Sequence, residues 1–323
     1  MEDKRKQLIE LLFSNKEDYI SGQELSNRLN ISRSAIWKHM NELKNVGYEM
    51  EAVTNKGYRI IKVPNTISEQ ALRWGLDTNW FGNLINYKPT VGSTQTIAHE
   101  LAREGASHGT VVIANEQTMG RGRLKRYWDS TFGLGLWFST ILRPSSLEPK
   151  NATQITLVAA VAIARALVKH EVDVKIKWPN DIFVGDLKLA GILTEMQAEQ
   201  HLVDYIILGI GLNGNQGIND FHPSVQEKAT SIYQVTGEQV NLNHIFQTIS
   251  KEFEQMYELF LEKGFGPIKL IWENYAYKMD EWITIKTNEL WEAKLLSIQN
   301  DGALRVKDEQ GTEHTLYSAE ILW

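Results

Sequence analysis

The chain has 323 residues, 42% hydrophobic and 23% charged, with no cysteine; this length exceeds what one hydrophobic core usually serves, so two or three domains are expected, and disulfides, thiolate metal sites and any cysteine thioester intermediate are excluded. No apolar run approaches the roughly 18 residues that cross a bilayer, and the N-terminal MEDKRKQLIE lacks a signal peptide's apolar segment, which predicts a cytoplasmic protein without membrane contact. Net charge is −6 but uneven: residues 1–63 hold eleven Lys/Arg against nine Asp/Glu, so the remainder carries −8 and only the N-terminal part offers a nucleic-acid surface.

From Lys4 to Phe13, the apolar residues Leu8, Ile9, Leu11 and Leu12 suit a first helix. Ser21 to Glu24 presents a capping box before Leu25 and Leu29, which predicts a short second helix. After a turn at Asn30 to Ser32, Ile36, Met40 and Leu43 repeat at helical spacing up to about Gly47. This is helix-turn-helix spacing. On the third helix Ser34, Trp37, Lys38 and Asn41 fall on one arc opposite the apolar stripe, with Arg33 at the N-terminal end where a recognition helix meets base edges. Tyr48 to Ile61, with a turn at 54–57 that carries Lys56, reads as a basic two-stranded wing.

A linker from Pro64 leads into a helix, a strand at Ile85 to Pro89, and a loop at Val91 to Thr96 where Ser93 or Thr94 would cap the next helix. Val111 to Asn115 is a β-rich run leading to Glu116 and Gln117. Thr118 to Asp129 follows, with arginines at 121, 123 and 126 and glycines at 120 and 122. Such a segment brings fixed positive charge and backbone N–H groups close to a polyanion, Trp128 offers a face to a planar base, and the weak apolar pattern from Leu124 to Ser130 predicts a loop that orders on its ligand. Gly133 to Leu142 alternates as a strand, and Thr153 to Lys169 is a helix apolar nearly all round, hence buried.

In Val174 to Asp181, Val174, Ile176 and Trp178 share a strand face, Pro179 ends the pairing, and Asn180 and Asp181 emerge at its end. A Gly185-Asp186 turn returns the chain through a strand from Leu187 to Leu193, in which Lys188 reads equally as a functional cation or an outward-facing edge residue. A strand at Leu202 to Leu208 runs into Gly209 to Gly214, which fits G-x-G-x-x-G but opens no helix, so a dinucleotide fingerprint is rejected and the glycines are read as room for a ligand, with Asn213 beside them. No HxxxH or HxH pair occurs among the eight histidines, so no protein-bound metal cage is expected. From about Asp280 to Trp323, three or four short strands with turns at Asn300 to Gly302 and near Asp308 to Gly311 read as a small β-barrel with no catalytic cluster.

Gly120-Arg-Gly-Arg123, Lys177-Trp-Pro-Asn-Asp181, Lys188-Leu-Ala-Gly-Ile-Leu193 and Gly209-Ile-Gly-Leu-Asn213, in that order, resemble the biotin protein ligases, and the helix-turn-helix in front resembles the bifunctional type that also represses the biotin operon. Lys125 stands where some relatives carry glycine. The resemblance implies a winged helix-turn-helix (1–63), a catalytic domain with a mixed β-sheet and flanking helices (64–275) and an SH3-like barrel (276–323). It implies biotinyl-5′-AMP formation from biotin, ATP and Mg²⁺, then transfer to a lysine of a carboxylase acceptor domain. It places Ser93, Thr94, Gln117, Gly120, Arg121, Arg123, Lys188 and Gly191 at biotin. Arg121, Arg123, Arg126, Trp128, Asn180, Lys188 and Asn213 would meet the nucleotide, and Lys188, Arg121, Arg123 and Asp181 would act in catalysis. Arg33, Ser34, Trp37, Lys38, Asn41 and Lys56 are expected at operator DNA, bound by a ligand-promoted homodimer. The rivals are a lipoate ligase and a metabolite-sensing transcription factor with an inactive ligase domain.

Overall fold

A computed structural model of the chain describes residues 2–14, 18–45, 47–54, 56–145, 147–199, 202–287 and 289–322. They form two compact units, Met1–Leu76 and Asp77–Trp323.

In the first unit, helices α1 (Glu2–Ser14), α2 (Gly22–Leu29) and α3 (Arg33–Asn45) precede strands β1 (Glu49–Val53) and β2 (Gly57–Lys62) and a short α4 (Glu69–Arg73). Ser21 caps α2, its Oγ accepting from the Glu24 N–H at 3.1 Å. The box does not close, because the Glu24 carboxylate turns to Arg28 at 2.6 Å. Leu8, Leu12, Leu25, Leu29, Ile36, Met40 and Leu43 make one buried core, which Ala71 of α4 joins. With that face of α3 inward, Arg33, Ser34, Trp37 and Lys38 are exposed and Asn41 is half-buried. β1 and β2 pair antiparallel as the wing; of its expected turn, Asn55 lies outside the described residues. Gly57, at φ +124°, has no room for a Cβ, which would sit 2.1 Å from the Ile20 carbonyl.

The second unit is built on a seven-stranded sheet of order β3-β4-β5-β9-β8-β7-β6. Its strands are β3 (Ile85–Val91), β4 (Val111–Gln117), β5 (Gly135–Leu142), β6 (Lys175–Lys177), β7 (Asp181–Val184), β8 (Leu187–Glu199) and β9 (Leu202–Asn213). Only β3 and β4 run parallel; the other neighbours are antiparallel. The mixed sheet of the expectation is present. Pro89 is tolerated within β3 because that strand is an edge. Between β3 and β4 runs α5 (Thr94–Arg103), and α6 (Ala152–Lys169), α7 (Ile232–Thr236), α8 (Leu242–Lys263) and α9 (Gly266–Tyr275) complete the helices.

Three readings are corrected here. β5 is buried at every position instead of alternating, because both faces are covered: Ile141 packs with Ala98 and Ala102 of α5 and Phe138 meets Phe246 of α8, ring centroids 5.2 Å apart. The strand read from Leu202 to Leu208 does not end there but continues through the glycine run to Asn213 as β9. Pro149–Lys169 is long and apolar enough to cross a membrane, and 72% of its 18-residue apolar window is buried in the protein. Its few polar residues interrupt the apolar run without lowering its mean hydropathy below that of a span, and α6 packs on α8 and α9.

The C-terminal segment has five strands rather than three or four: β10 (Trp282–Lys286), β11 (Leu290–Ile298), β12 (Leu304–Asp308), β13 (Glu313–Leu316) and β14 (Glu320–Leu322), in the antiparallel order β13-β12-β11-β10-β14 of an SH3-like barrel. The last two are too short to carry a period-2 signal. Ile283, Ile285, Leu295, Ile298, Leu304 and Val306 fill its core, whereas Trp282 faces out.

The turn before β3 depends on a carboxylate the sequence does not advertise. Glu254 of α8, buried, accepts from the Asn79, Trp80 and Phe81 N–H groups at 2.7, 2.9 and 2.9 Å. Its removal orphans three donors. Glu254→Ala should therefore lower the unfolding free energy by about 3 kcal/mol in urea titration, and Glu254→Gln by about half as much.

Candidate active site

One face of the sheet carries a cavity of about 800 Å³. Its inner end is polar and buried: Ser93 and Thr94 at the start of α5, Gln95, Gln117 at the end of β4, and Ser139 of β5. Here the expected cap differs from the observed one. Ser93 makes no side-chain cap; instead Gln117 Oε1 accepts from the Thr94 N–H at 2.9 Å and from the Thr94 hydroxyl at 3.0 Å. Gln117 Nε2 in turn donates to Ser130 Oγ at 3.0 Å, which ties the end of the arginine loop to the pocket. Thr94 Oγ1 lies 2.9 Å from Ser139 Oγ, and Ser139 donates to Gln95 Oε1 at 2.9 Å. The Thr94 and Ser139 hydroxyls make three oxygen–oxygen contacts with two protons, so one contact has no donor and a lone pair is open to an incoming N–H.

The glycines of β8 and β9 have specific occupants. A Cβ at Gly209 would lie 2.4 Å from Gln95 Oε1, and one at Gly211 2.5 Å from the Trp128 indole. Gly191, paired with Gly211 across the two strands and with Asp181 on the other side, leaves room for the same indole. Trp128 thus lies directly on the sheet, with Trp137 edge-on at 6.4 Å. Its indole N–H is buried and meets no acceptor among the described residues.

The arginine loop that delivers Trp128 is a compact turn. Gly122 N–H donates to the Arg126 carbonyl at 2.8 Å and Trp128 N–H to the Gly120 carbonyl at 2.9 Å. At Gly120 a side chain is excluded, since a Cβ would lie 2.3 Å from the Trp128 carbonyl; this glycine shapes the loop and does not line the cavity. Leu124 and Lys125 are left-handed, φ +56° and +57°, a conformation that costs a non-glycine residue about 1 kcal/mol or more. The lysine that stands where some relatives have glycine therefore occupies the position where glycine is most useful.

Each loop arginine is held by a different part of the unit. Arg121 donates to Glu195 at 3.1 Å, Arg123 to Asn180 Oδ1 at 3.2 Å and Arg126 to Glu320 of β14 at 2.7 Å. Asn180 is itself fixed by Nδ2 donating to the Ile192 carbonyl at 2.9 Å. Lys188 is no edge residue. Its backbone is paired on the side away from β7 by Lys228 and Thr230, and its ammonium lies 2.7 Å from Asp181 and 5.1 Å from the Trp128 ring centroid. Lys177 also lines the cavity; burial pushes its pKa down to about 8, against the pull of Asp181. Asn213 donates to the Thr230 carbonyl and accepts from Gln216.

Seven Lys/Arg and three Asp/Glu line the cavity, a local charge of +4 in a chain of −6. Such a lining focuses its field on an anion. Of the residues singled out in this half of the chain, all but Gly120 line it together; Arg33, Ser34, Trp37, Lys38, Asn41 and Lys56 belong to the first unit. The sequence reading missed Gln95, Ser139, Lys177, Lys286 and Glu320 as lining residues. The Ser139-Thr140 pair inside an otherwise apolar strand was the signal available for Ser139. The barrel, in which the sequence shows no catalytic cluster, nevertheless lends Lys286, Thr287 and Ser318 to Ile321 to the lining.

This fold and site define a ligase of the biotin and lipoate class, for residues 87–213 match the model of the biotin/lipoate A/B protein ligase family and residues 4–59 match an HTH domain. The chain is 44% identical over 319 residues, 98% of each chain, to the bifunctional ligase/repressor BirA of Bacillus subtilis, and 30% identical over 94% of each chain to that of Escherichia coli. Biotin protein ligase from Aquifex aeolicus in complex with biotin and ATP superposes with a TM-score of 0.66 at 29% identity, covering 74% of this chain and 98% of that one. The chain belongs to the bifunctional biotin protein ligases that carry an N-terminal DNA-binding domain.

If Trp128 owes its place to the bare strand beneath it, Gly211→Ala should displace the indole. The KM for ATP is then expected to rise about tenfold, equivalent to ~1.4 kcal/mol, and steady-state kinetics at fixed biotin measures it.

Proposed function

We propose that the chain joins biotin to ATP as biotinyl-5′-AMP, releasing pyrophosphate, and passes the biotinyl group to a lysine of a carboxylase acceptor domain, AMP leaving. The observation that carries this reading is one cavity with two unlike ends. The inner end, one hydrogen-bond donor short at Thr94 and Ser139, suits a ureido group. The outer end, lined by Arg123, Arg126, Lys177 and Lys188 with the flat Trp128 face, suits a nucleotide. In the first step a carboxylate oxygen attacks the α-phosphorus and two anions must meet; Lys188 between them, with Arg123 on the phosphates, offsets the repulsion. Arg121, its guanidinium turned to Glu195, serves through its backbone at the biotin end. Trp128 covers the adenine, and Asn180, Arg126 and Asn213 complete the nucleotide contacts. Gly120, Gly191 and Gln117 shape the biotin end. In the second step the acceptor lysine, with an ordinary pKa near 10.4, loses a proton as its nitrogen attacks the acyl carbon, and Asp181 beside Lys188 is the carboxylate to receive it.

Mg²⁺ belongs to this proposal as a companion of the triphosphate. The residues present do not fit a protein cage: no group of three or more His, Asp or Glu suited to a metal occurs among the described residues, and Asp181 and Glu320 are already paired with Lys188 and Arg126.

The lipoate alternative meets a direct test. Purified protein with ATP should label a biotin-acceptor domain with biotin and not with lipoate. Lys188→Ala should slow adenylate formation by at least about two orders of magnitude, the scale of losing one preorganised charge. Equal labelling by both acids would move the assignment to the wider class, and a wild-type chain without adenylation would leave a ligand-sensing transcription factor.

The second half of the proposal is repression of biotin genes by a cytoplasmic homodimer, with 1–63, 64–275 and 276–323 as its functional segments. Arg33, Ser34, Trp37, Lys38 and Asn41 on α3 would enter the major groove of operator DNA while Lys56 on the wing meets backbone. Adenylate favours the dimer if it binds that state more tightly, and a two-fold dimer matches a two-fold operator. Arg33→Ala with Lys38→Ala should weaken operator binding and flatten its dependence on salt by about two counterions, read by fluorescence anisotropy across a salt series.

A further inference from the structure

Two of the three loop arginines are held inside the cavity by residues that line it, Asn180 and Glu320. The third is not. The Arg121 guanidinium turns to Glu195 of β8, outside the lining, and the two residues are 74 positions apart in sequence. The receiving oxygen is prepared. His99 of α5, largely buried, brings Nε2 within 3.1 Å of the same Glu195 Oε2, and His99 Nδ1 lies 3.4 Å from the Tyr205 hydroxyl of β9. The hydrogen bond from His99, with Gln95 and the Arg121 charge adding to it, pulls the Glu195 carboxyl down to about 2 against its burial, so this group stays an anion across the physiological range.

The position of this pair gives it mechanical meaning. From the β3 side the loop is fastened by main chain, Thr118 N–H to the Val91 carbonyl and Met119 N–H to the Gly92 carbonyl at 2.9 and 2.8 Å. On the β8 side Glu195 fastens it again, and its end is tied to β4 by the Ser130–Gln117 bond. Arg121 thereby lies between two points of attachment and lines the cavity. His99 sits five residues beyond Thr94 on the helix that starts in that inner end, so the pocket wall and the loop share one anchor.

We propose that Glu195, oriented by His99, is a positioning residue that captures the Arg121 guanidinium and sets the closed loop's backbone at the biotin end of the cavity. The proposal rests on the ligase reading and deepens it. Glu195 touches neither reacting atom, so its effect falls on biotin binding and not on the chemical step. An ion pair this exposed, with side-chain exposures of 40% and 35%, is worth little as a stabiliser of the fold; what it supplies is preorganisation, which lowers the cost of ordering the loop on binding.

The test is steady-state biotinylation by the full chain. Glu195→Ala should raise the KM for biotin about fivefold with kcat changed less than about twofold, the scale of one partly exposed ion pair. Glu195→Gln, which keeps an acceptor for Arg121, should return most of the loss. In an Arg121→Ala background, Glu195→Ala should add nothing, since the pair acts as one. An unchanged biotin KM in Glu195→Ala, or a full additional loss in the Arg121→Ala background, overturns the proposal. Should Glu195→Ala fail to fold, His99→Ala is read the same way, and an unchanged KM there also overturns it. A second readout does not depend on activity: trypsin should cut after Lys125 and Arg126 several times faster in Glu195→Ala than in wild type. If wild type transfers no biotin, the function falls, while equal cleavage rates would sink the latch by itself.

Discussion

Two anions do not approach each other in a cavity unless fixed positive charge is already there, and that requirement organises this molecule. A cation is useful only if it is held, and four of the seven in the lining are held by neighbours from different elements: Lys188 by Asp181 across a strand pair, Arg123 by Asn180, Arg126 by Glu320 and Arg121 by Glu195. Only three carboxylates, Asp129, Asp181 and Glu320, line the cavity against seven cations, so the lining stays at +4. Side chains whose heads are oriented in advance need not reorganise when charge develops, which is where electrostatic stabilisation comes from.

The sheet makes this possible by what it omits. Gly191, Gly209 and Gly211 lie on two adjacent strands and leave a bare strip of backbone, into which Trp128 and Gln95 descend from one side. A side chain on any of the three would lift either the loop or the head of α5 from the sheet, and the two ends of the cavity would no longer face one another. The same strip explains why a G-x-G-x-x-G spacing occurs without a dinucleotide fold: the glycines serve close packing against a strand, and no helix follows them to receive a phosphate.

The barrel and α5 extend the site beyond the motifs. Glu320 reaches the loop from the last strand, so the C-terminal segment takes part in holding a nucleotide-facing arginine. At the other end, Gln117 supplies the acceptor that the first N–H of α5 needs, and the same amide fastens Ser130. Pocket wall, helix terminus and loop are in this way one hydrogen-bonded body, and disturbance at any of the three is felt by the others.

Much of this was legible along the chain. Periodic apolar residues at Ile36, Met40 and Leu43, the cap at Ser21, the turn at Gly185 and the order of the four motifs required only local spacing, which a backbone enforces within a few residues. Spacing sufficed for the winged helix; the mixed sheet and the membership of Lys188, Asp181 and the three arginines in one site came from the resemblance that the four motifs carry. What spacing could not say is which distant group each side chain turns to. Glu195, Glu254 and Glu320 sit in unremarkable local sequence, and the short strands β13 and β14 carry too few residues for a period. Their partners are 74, 175 and 194 positions away, so only the folding of the sheet, which fixes strand register and brings those carboxylates to their donors, decided their roles.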